Sequence, residues 1–311
     1  MSMTVAICTW NRATLLRQTL ERLVKIPRPG TAAELIVVDN GSTDDTESVA
    51  QQFADSIPMR IIRESSPGLS NARNRALQEA RTTHVLFTDD DVLVDEQWLH
   101  AFSDAIVENP DAAAFGGPIE PWYPTTPDPV LSAAFPALSW GFCGLDHHRP
   151  LGVLPPPLEI FGANFGVRVD ALGDLRFDPR LGPKQGYFGT SEETLLIDGL
   201  RARGLNVVWV PGMRVRHYVA PERMTLDYLL AFYHDFAKGE ARRKGPPVGA
   251  RVLGVPRWVL RQVVQARARA LWNRLRRNRL AELIALREYR YYSGMAVECF
   301  ALYREGDRTT V

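Results

Sequence analysis

The sequence predicts an α/β protein with a mostly parallel sheet, flanking helices and a helical C-terminal tail. From residue 3 to about residue 118, short runs rich in β-branched residues alternate with longer segments of helical period. This alternation is typical of βα units. After Pro221 the helical period continues towards the end of the chain. With 311 residues, 45% of them hydrophobic and 23% charged, the chain can bury a sizeable core, and collagen-like, coiled-coil and wholly disordered classes are excluded.

The first third has the elements of a nucleotide-binding α/β half. Its strands are predicted at 3–8, 34–38, 59–63, 84–88 and 112–117, and its helices at about 12–24, 43–54, 69–80 and 95–108. Ser42 and Asp95 each precede a helical segment, so we expect them to be N-caps. There is no GxGxxG after the first strand and no GxxxxGK[ST], which argues against dinucleotide dehydrogenases and P-loop enzymes.

The remainder is less regular. Residues 118–158 are rich in proline, glycine and aromatic residues and are predicted as an irregular excursion. Then follow a β-rich stretch at 159–169, a glycine-rich loop at 181–190, a helix at about 191–203, strands at 206–210 and 213–219, and helices broken at 245–247 and near Pro256.

The net charge of +1 conceals an uneven distribution. Residues 241–290 hold fourteen arginine or lysine residues against two acids, Glu282 and Glu288, which predicts an anionic partner for this tail.

The cysteines form no CxxC pair, which favours a reducing, cytoplasmic setting. Without a signal peptide or an apolar run long enough to cross a bilayer, we expect neither export nor a membrane span.

Three consecutive carboxylates, Asp89, Asp90 and Asp91, follow the apolar strand at 84–88. Ligands of open α/β sheets bind beyond the carboxyl ends of strands. Because side chains of an extended segment alternate in direction, Asp89 and Asp91 can face one ion. Carboxylate oxygens suit Mg²⁺ or Mn²⁺. The alternative is an exposed acidic turn that caps the next helix.

Three further polar segments lie at strand ends or helix starts, at residues 9–12, 39–42 and 68–74. The predicted fold places all of them around one crevice. Asp39 can accept a hydrogen bond from a base or ribose, and Arg73 can meet a phosphate or the base. Each segment alone is also an ordinary turn or loop, but a nucleotide together with a metal explains all of them.

Five segments occur in order, VAICTWNR, VVDNGSTDDT, GLSNARNRAL, FTDDDV and SEETLLIDGLRARGLNVVWVPGMRVRHYV, and together resemble the GT-A glycosyltransferases of family 2 over about residues 3–220. The resemblance implies a Rossmann-like mixed sheet, a nucleotide-sugar donor with UDP favoured, Mn²⁺ or Mg²⁺ at an Asp-x-Asp motif, and inverting transfer to an acceptor hydroxyl in polysaccharide or glycolipid synthesis. We accordingly expect a catalytic domain at 1–221, with a nucleotide-binding part at about 1–118 and an acceptor part at about 119–221, and a basic helical extension at 222–311.

The resemblance also implies roles for single residues. Thr9, Asp39 and Arg73 match nucleotide-contacting positions of that family, and we extend this set to Asn11, Arg12, Asn71, Asp89 and Asp90. His217 matches the position of a further metal ligand beside Asp89 and Asp91, although a lone strand histidine can also be structural. On the sugar and acceptor side we expect Asn164, Phe165, Gly186, Gly189 and Glu192.

The family takes its catalytic base from an acidic pair, usually Glu-Asp, at the start of the helix after the glycine-rich loop. Here the pair is Glu192-Glu193, and by alignment Glu193 takes the place of the catalytic aspartate with one more methylene. The alternative is a structural role, because Thr190 and Glu193 have the spacing of a capping box.

In the tail, apolar residues within 258–275 form one helical stripe flanked by arginines. With Trp258 and Trp272, this segment would suit an anionic membrane, so we expect peripheral contact at the inner face of a membrane through 256–280 and no nucleic acid. The alternative is a helix that packs on the catalytic domain and has a solvated basic face.

Two other functions stay open at this point. A sugar-nucleotide nucleotidyltransferase would carry a glycine-rich, basic loop after the first strand to handle a triphosphate, and TWNRATLL is not such a loop. A non-enzymatic binding module led by the basic tail would leave the acidic crevice unexplained.

Overall fold

The computed structural model of the chain describes residues 2–29, 33–181 and 192–308. Its strands are β1 Met3–Thr9, β2 Ala33–Asp39, β3 Met59–Arg63, β4 His84–Asp89, β5 Val92–Val94, β6 Ala114–Gly116, β7 Ile119–Trp122, β8 Gly152–Val153, β9 Asn164–Arg168, β10 Val207–Trp209, β11 Val215–Tyr218, β12 Arg251–Val252 and β13 Val255–Pro256. Its α-helices are α1 Ala13–Lys25, α2 Thr46–Gln51, α3 Leu69–Glu79, α4 Trp98–Glu108, α5 Pro129–Ala133, α6 Phe135–Leu138, α7 Val169–Leu172, α8 Glu192–Ala202, α9 Leu226–Lys244, α10 Arg257–Leu275 and α11 Arg279–Arg308.

The main sheet has the strand order β3-β2-β1-β4-β9-β6-β10-β8. Strands β3, β2, β1 and β4 are parallel neighbours, as the alternating βα pattern predicts. The sheet becomes mixed because β9 runs antiparallel between β4 and β6. The central strands β1, β2 and β4 are almost entirely buried, which explains why each reads as a continuous apolar run rather than an alternating one.

The two predicted N-caps are wrong. Helix α2 begins only at Thr46, because Ser42 is used in a turn, where its amide donates to Asp39 at 2.9 Å and its hydroxyl accepts from the Asn11 amide at 2.9 Å. Helix α4 begins at Trp98, and Asp95 accepts a hydrogen bond in the turn before it. Both polar side chains therefore stabilise loops that lead into helices.

Asn164, at the start of β9, is fully buried and joins three segments. Its amide nitrogen donates to the carbonyls of Pro118 at 3.0 Å and Met213 at 2.6 Å, and its amide oxygen accepts from the indole N–H of Trp98 at 2.9 Å. The side chain fixes the sheet and has no surface open to a ligand. Its expected place on the sugar and acceptor side stays a prediction.

The chain divides into two compact units, and the first comprises residues 1–122 and 144–218. The second unit comprises residues 123–143 and 219–311, so the structure groups part of the irregular excursion with the C-terminal helices, whereas the sequence analysis placed it in the acceptor part. Within this unit, apolar side chains of α9, α10 and α11 form a core of their own, which includes Ala237, Val259 and Cys299. Among the described residues, no helix is long and apolar enough to cross a membrane.

The buried hydrogen bonds of Asn164 predict a large effect of Asn164→Leu. This change keeps a branched side chain but leaves the Met213 carbonyl and the Trp98 indole N–H buried without the partner that Asn164 supplies, and each such group costs about 1–3 kcal/mol. The Pro118 carbonyl keeps its hydrogen bond from the Val215 amide. We expect the free energy of unfolding, measured in denaturant, to fall by about 3 kcal/mol or more. As a control, Val107→Ser on the outer face of α4, where Val107 is 65% exposed, should change it by less than about 0.5 kcal/mol. Equal stability of the two variants would contradict the role given to Asn164.

Candidate active site

Three metal-ligating side chains converge beyond the carboxyl end of β4. Asp89 ends β4, Asp91 lies in the turn before β5, and His217 lies on β11. The antiparallel pairing of β5 with β11 sets Val92 opposite His217, which brings the imidazole beside Asp91. His217 Nε2 lies 3.3 Å from Asp91 Oδ1 and 3.5 Å from Asp89 Oδ2, and one ligand atom from each residue lies within 4.8 Å of the others.

The environment of these atoms fits a divalent cation. Asp91 Oδ1 is buried and has no hydrogen-bond partner in the part of the chain that the structure describes. His217 Nδ1 lies 2.9 Å from the carbonyl of Tyr218 and donates to it, so Nε2 is the ring atom that faces the two carboxylates. Nε2 can donate to Asp89 when it is protonated, and it would offer its lone pair to a bound cation when it is not. Two carboxylate oxygens and one imidazole nitrogen form a ligand set that could hold Mn²⁺ or Mg²⁺.

Two carboxylates of the acidic turn, residues 89–91, have pKa values that are shifted in opposite directions. Burial disfavours the charged form of Asp89, but the hydrogen bond with His217 and nearby basic charges outweigh burial and lower its pKa to about 2. For Asp90, burial and the charge of Asp91 raise the pKa to about 7. Arg12 Nη1 lies 3.3 Å from Asp90 Oδ1 and also pairs with Asp91. Arg12 therefore offsets part of the negative charge that gathers at this strand end.

The other residues predicted to contact a nucleotide lie at neighbouring strand ends and a helix start. Thr9 and Asp39 are buried and are register partners at the ends of β1 and β2. Asn11 is exposed, has a φ of 51°, and accepts a hydrogen bond from the Thr43 amide at 2.7 Å. Asn71 is half-buried in the first turn of α3. These positions leave the nucleotide roles of the four residues as predictions.

Arg73, on α3, lies inside the protein rather than on a ligand surface. It is 2% exposed. Its Nη1 donates to Glu192 Oε1 at 2.6 Å, and its Nη2 lies 3.1 Å from the Gly162 carbonyl and 3.4 Å from Asp89 Oδ1. With its donors directed at these three partners, Arg73 links the acidic turn to the start of α8. In this arrangement its guanidinium donors are used inside the protein, and the expected contact of Arg73 with a phosphate or base stays a prediction.

Residues that the sequence analysis missed complete the surroundings of Arg73. The ring centroids of Phe87, Phe165 and Phe177 lie 6.0, 5.5 and 5.6 Å from its guanidinium carbon. Phe165 is fully buried, and its predicted place on the sugar side stays a prediction. A Cβ on Gly162 would lie 2.4 Å from Arg73 Nη2, so glycine is required for this approach. The segment FGANFG marks Gly162 only as a loop glycine, and the scattered phenylalanines give no signal of a common site.

The two acids that begin α8 have different environments. Glu192 is 3% exposed and ion-paired with Arg73, and its expected place on the acceptor side stays a prediction. Glu193 is half-buried, and its Oε1 accepts a hydrogen bond from the Gly162 amide at 3.2 Å. Burial, followed by the charge of Glu192, raises the pKa of Glu193 to about 8. Of this pair, Glu193 is therefore the better placed to exchange a proton near neutral pH.

Three residues named in the sequence analysis lie outside the described residues. They are Gly186, Gly189 and the capping candidate Thr190. Their predicted roles stay predictions.

Solved structures with the same fold include two glycosyltransferases. Staphylococcus aureus TarS 1–349 in complex with UDP-GlcNAc aligns with 98% of this chain and 92% of its own, at a TM-score of 0.56 and 16% identity. The mannosyltransferase PcManGT of Pyrobaculum calidifontis, in complex with GDP-Man and Mn²⁺, aligns with 99% of this chain and 75% of its own, at a TM-score of 0.57 and 15% identity. This similarity confirms the predicted GT-A fold class.

Sequence relatives agree with the fold. A glucosyl-dolichyl phosphate glucuronosyltransferase of Haloferax volcanii is 22% identical over 249 residues, which is 78% of this chain and 77% of that protein. The poly(ribitol-phosphate) beta-N-acetylglucosaminyltransferase TarS of Staphylococcus aureus is 30% identical over 117 residues, which is 37% of this chain but only 19% of TarS. The family model of glycosyl transferase family 2 matches residues 4–170, which include β1, β2, the acidic turn and β9. The match spans more than half of the chain, and the protein therefore belongs to glycosyl transferase family 2.

Proposed function

We propose that this protein is an inverting, metal-dependent glycosyltransferase that moves a sugar from a nucleoside-diphosphate sugar to an acceptor hydroxyl. One observation carries the proposal: Asp89, Asp91 and His217 converge on one site, and Arg73 joins this site to the acidic pair that begins α8. A cation-binding set and a candidate base thus belong to one connected network. Membership of a glycosyltransferase family favours this function over a nucleotidyltransferase or a binding module.

The leaving group would be stabilised at the end of β4. Asp89, Asp91 and His217 would hold Mn²⁺ or Mg²⁺, which when bound would supply positive charge for the departing diphosphate. Arg12 is the basic side chain that pairs with the acidic turn and remains 38% exposed, so we propose that it contacts a donor phosphate. Asp39 at the end of β2 supplies an acceptor for the base or ribose.

Glu193 would accept the proton of the attacking hydroxyl. A base is most effective when its pKa lies near the working pH, and the pKa of Glu193 is raised to about 8 by burial and by Glu192. The amide of Gly162 holds one oxygen of this carboxylate, while Glu192 stays paired with Arg73. Attack on the anomeric carbon in line with the diphosphate would invert its configuration.

The donor and acceptor are proposed as classes. The two solved neighbours hold UDP-GlcNAc and GDP-Man, which supports a nucleotide sugar without selecting the base, and we favour a UDP-sugar from the family resemblance. The acceptor would be a carbohydrate or a lipid-linked saccharide, which agrees with the dolichyl phosphate named for the Haloferax volcanii relative.

The function is tested by incubating the protein with UDP-, GDP-, CDP- and dTDP-sugars in the presence and absence of Mn²⁺. We expect slow, metal-dependent release of one nucleoside diphosphate even without an acceptor, since water can replace the hydroxyl. Failure of all four donor classes to release nucleoside diphosphate or to bind would contradict the proposal.

The metal assignment predicts that Asp91→Asn removes the effect of Mn²⁺ on diphosphate binding. The amide keeps the size of the side chain but is a much poorer ligand than a carboxylate. In titration calorimetry, the affinity of the unaltered protein for UDP, or for the diphosphate found in the donor assay, should rise when Mn²⁺ is added, and that of Asp91→Asn should not. Glu120→Gln, an exposed change on β7, serves as the control and should keep the Mn²⁺ effect. The same Mn²⁺ effect in Asp91→Asn would overturn the assignment.

The catalytic assignment predicts that Glu193→Gln lowers turnover by about 10²- to 10⁴-fold, the usual contribution of a general base, with little change in donor affinity. Gln can still accept the Gly162 amide, so the local structure should be retained. Glu192→Gln is the matched control: it leaves Arg73 buried with one carboxylate fewer and should mainly lower the unfolding temperature. If Glu193→Gln kept near-normal turnover while Glu192→Gln lost it at unchanged stability, the base would be Glu192.

A further inference from the structure

Helix α10 has two apolar faces, and only one of them is covered. Val259, Ala266 and Ala270 are buried, and Val259 packs with side chains of α11 such as Met295 and Cys299. The helix thus packs through a narrow face on α11, within the C-terminal unit rather than on the catalytic domain. That packing does not use the longer apolar side chains of the predicted stripe.

Apart from the half-buried Val263, the large apolar side chains of the predicted stripe lie on the opposite side of α10 and are exposed. Val264 is 68% exposed, Trp272 59% and Leu275 80%, and Leu260 and Leu271 belong to the same exposed set. At about 100° per residue, these positions fall within roughly one third of the helix circumference. We call this set, from Leu260 to Leu275, the α10 stripe. An exposed run of large apolar side chains along one helix marks an interaction surface.

Positive charge surrounds the α10 stripe. Residues 257–279 contain eight arginines, and residues 245–281 contain no acidic residue. The eight are all exposed, at 257, 261, 267, 269, 274, 276, 277 and 279. By the helical period, Arg274 flanks the stripe on one side and Arg276 on the other. Arg267 and Arg269 lie at the same borders but contact α11, where Arg267 stacks on Tyr289 and Arg269 pairs with Glu288. An anionic surface would therefore meet arginines along both borders of the stripe.

A short hairpin extends the exposed apolar surface beyond the first turn of α10. Strands β12 and β13 pair antiparallel, and Val252 and Leu253 are exposed at the tip. The Arg257 amide donates to the Ala250 carbonyl at 2.8 Å, so the hairpin is fixed directly to the start of the helix. The hairpin thus adds two exposed apolar side chains next to the first turn of α10.

We infer that the α10 stripe binds the surface of a bilayer that contains anionic lipid, with α10 lying in the plane of the interface. The arginines would pair with lipid phosphates, the aliphatic side chains would enter the acyl boundary, and Trp272 would lie at headgroup level. A nucleic acid fits less well, because its phosphates would satisfy the arginines but would leave Leu271 and Leu275 in water. The inference does not depend on the proposed chemistry.

The experiment is flotation of the full chain with vesicles of phosphatidylcholine alone and of phosphatidylcholine mixed with phosphatidylglycerol. We expect partitioning to the anionic vesicles only, weakened by salt. The double variant Leu271→Ser/Leu275→Ser should bind about tenfold or more weakly, because burial of one leucine already accounts for about that factor. Val107→Ser, an equally exposed change on α4, should bind as the unaltered protein does, and thermal unfolding should confirm that both variants stay folded.

Two results would overturn the inference. Equal recovery on neutral and anionic vesicles would remove the role of the arginines. Unchanged binding of Leu271→Ser/Leu275→Ser to anionic vesicles would show that the stripe does not enter the bilayer, and that the arginines act as a general polyanion-binding surface.

Discussion

The buried ion pair between Arg73 and Glu192 is the interaction on which the candidate active site depends. Nη1 and Oε1 lie 2.6 Å apart, and both side chains are almost completely removed from solvent. Burial opposes the charge of Arg73, but Glu192 and then Asp89 raise its pKa, so the guanidinium stays charged. Loss of one partner from such a buried pair costs about 3–5 kcal/mol, because the other charge is left uncompensated. The pair therefore fixes α3 and the start of α8 in one arrangement.

Two consequences follow for the acids around Arg73. The second guanidinium nitrogen reaches Asp89 and the Gly162 carbonyl, and the Gly162 amide reaches Glu193. The position of the candidate base is thus linked to the acidic turn through two residues. The charge of Arg73 also lowers the pKa of Glu193 against the effects of burial and of Glu192. One arginine therefore both positions the base and limits how strongly it holds its proton.

Sequence reasoning found the acidic turn for a physical reason and missed the Arg73 network for another. Side chains alternate along an extended segment, which places Asp89 and Asp91 on one side, and the ends of parallel strands lie at one edge of the sheet. The local sequence was therefore sufficient to predict a ligand site at the acidic turn. The sequence gives the charge of Arg73 but not its burial, which depends on phenylalanines at positions 87, 165 and 177 that are far apart in the chain. An arginine that closes a core and one that meets a phosphate look alike in sequence.

Other differences have the same origin. The three groups that hydrogen-bond to the Asn164 side chain come from segments more than forty residues away, so its burial could not be predicted from the local sequence. In α10, the sequence pattern predicted the apolar stripe but not the face that packs on α11. Ala266 and Ala270 on that face are too small to give a clear hydrophobic signal. Small residues allow helices to approach closely. Only the three-dimensional structure shows that the alanine face of α10 is packed rather than exposed to solvent.

The most direct test of the central claim is the pH dependence of turnover at saturating donor and acceptor. Glu193 must lose its proton to act as a base, so turnover should rise with pH towards the pKa near 8 and level off above it.

Arg73→Gln removes a charge that lowers this pKa, so the rising limb of the profile should move to higher pH by about one pH unit or more. In the double variant Arg73→Gln/Glu192→Gln, loss of the neighbouring negative charge opposes this change, and the limb should return towards that of the unaltered protein. An identical limb in all three folded proteins would contradict the claim that Arg73 connects the acidic turn to the catalytic base.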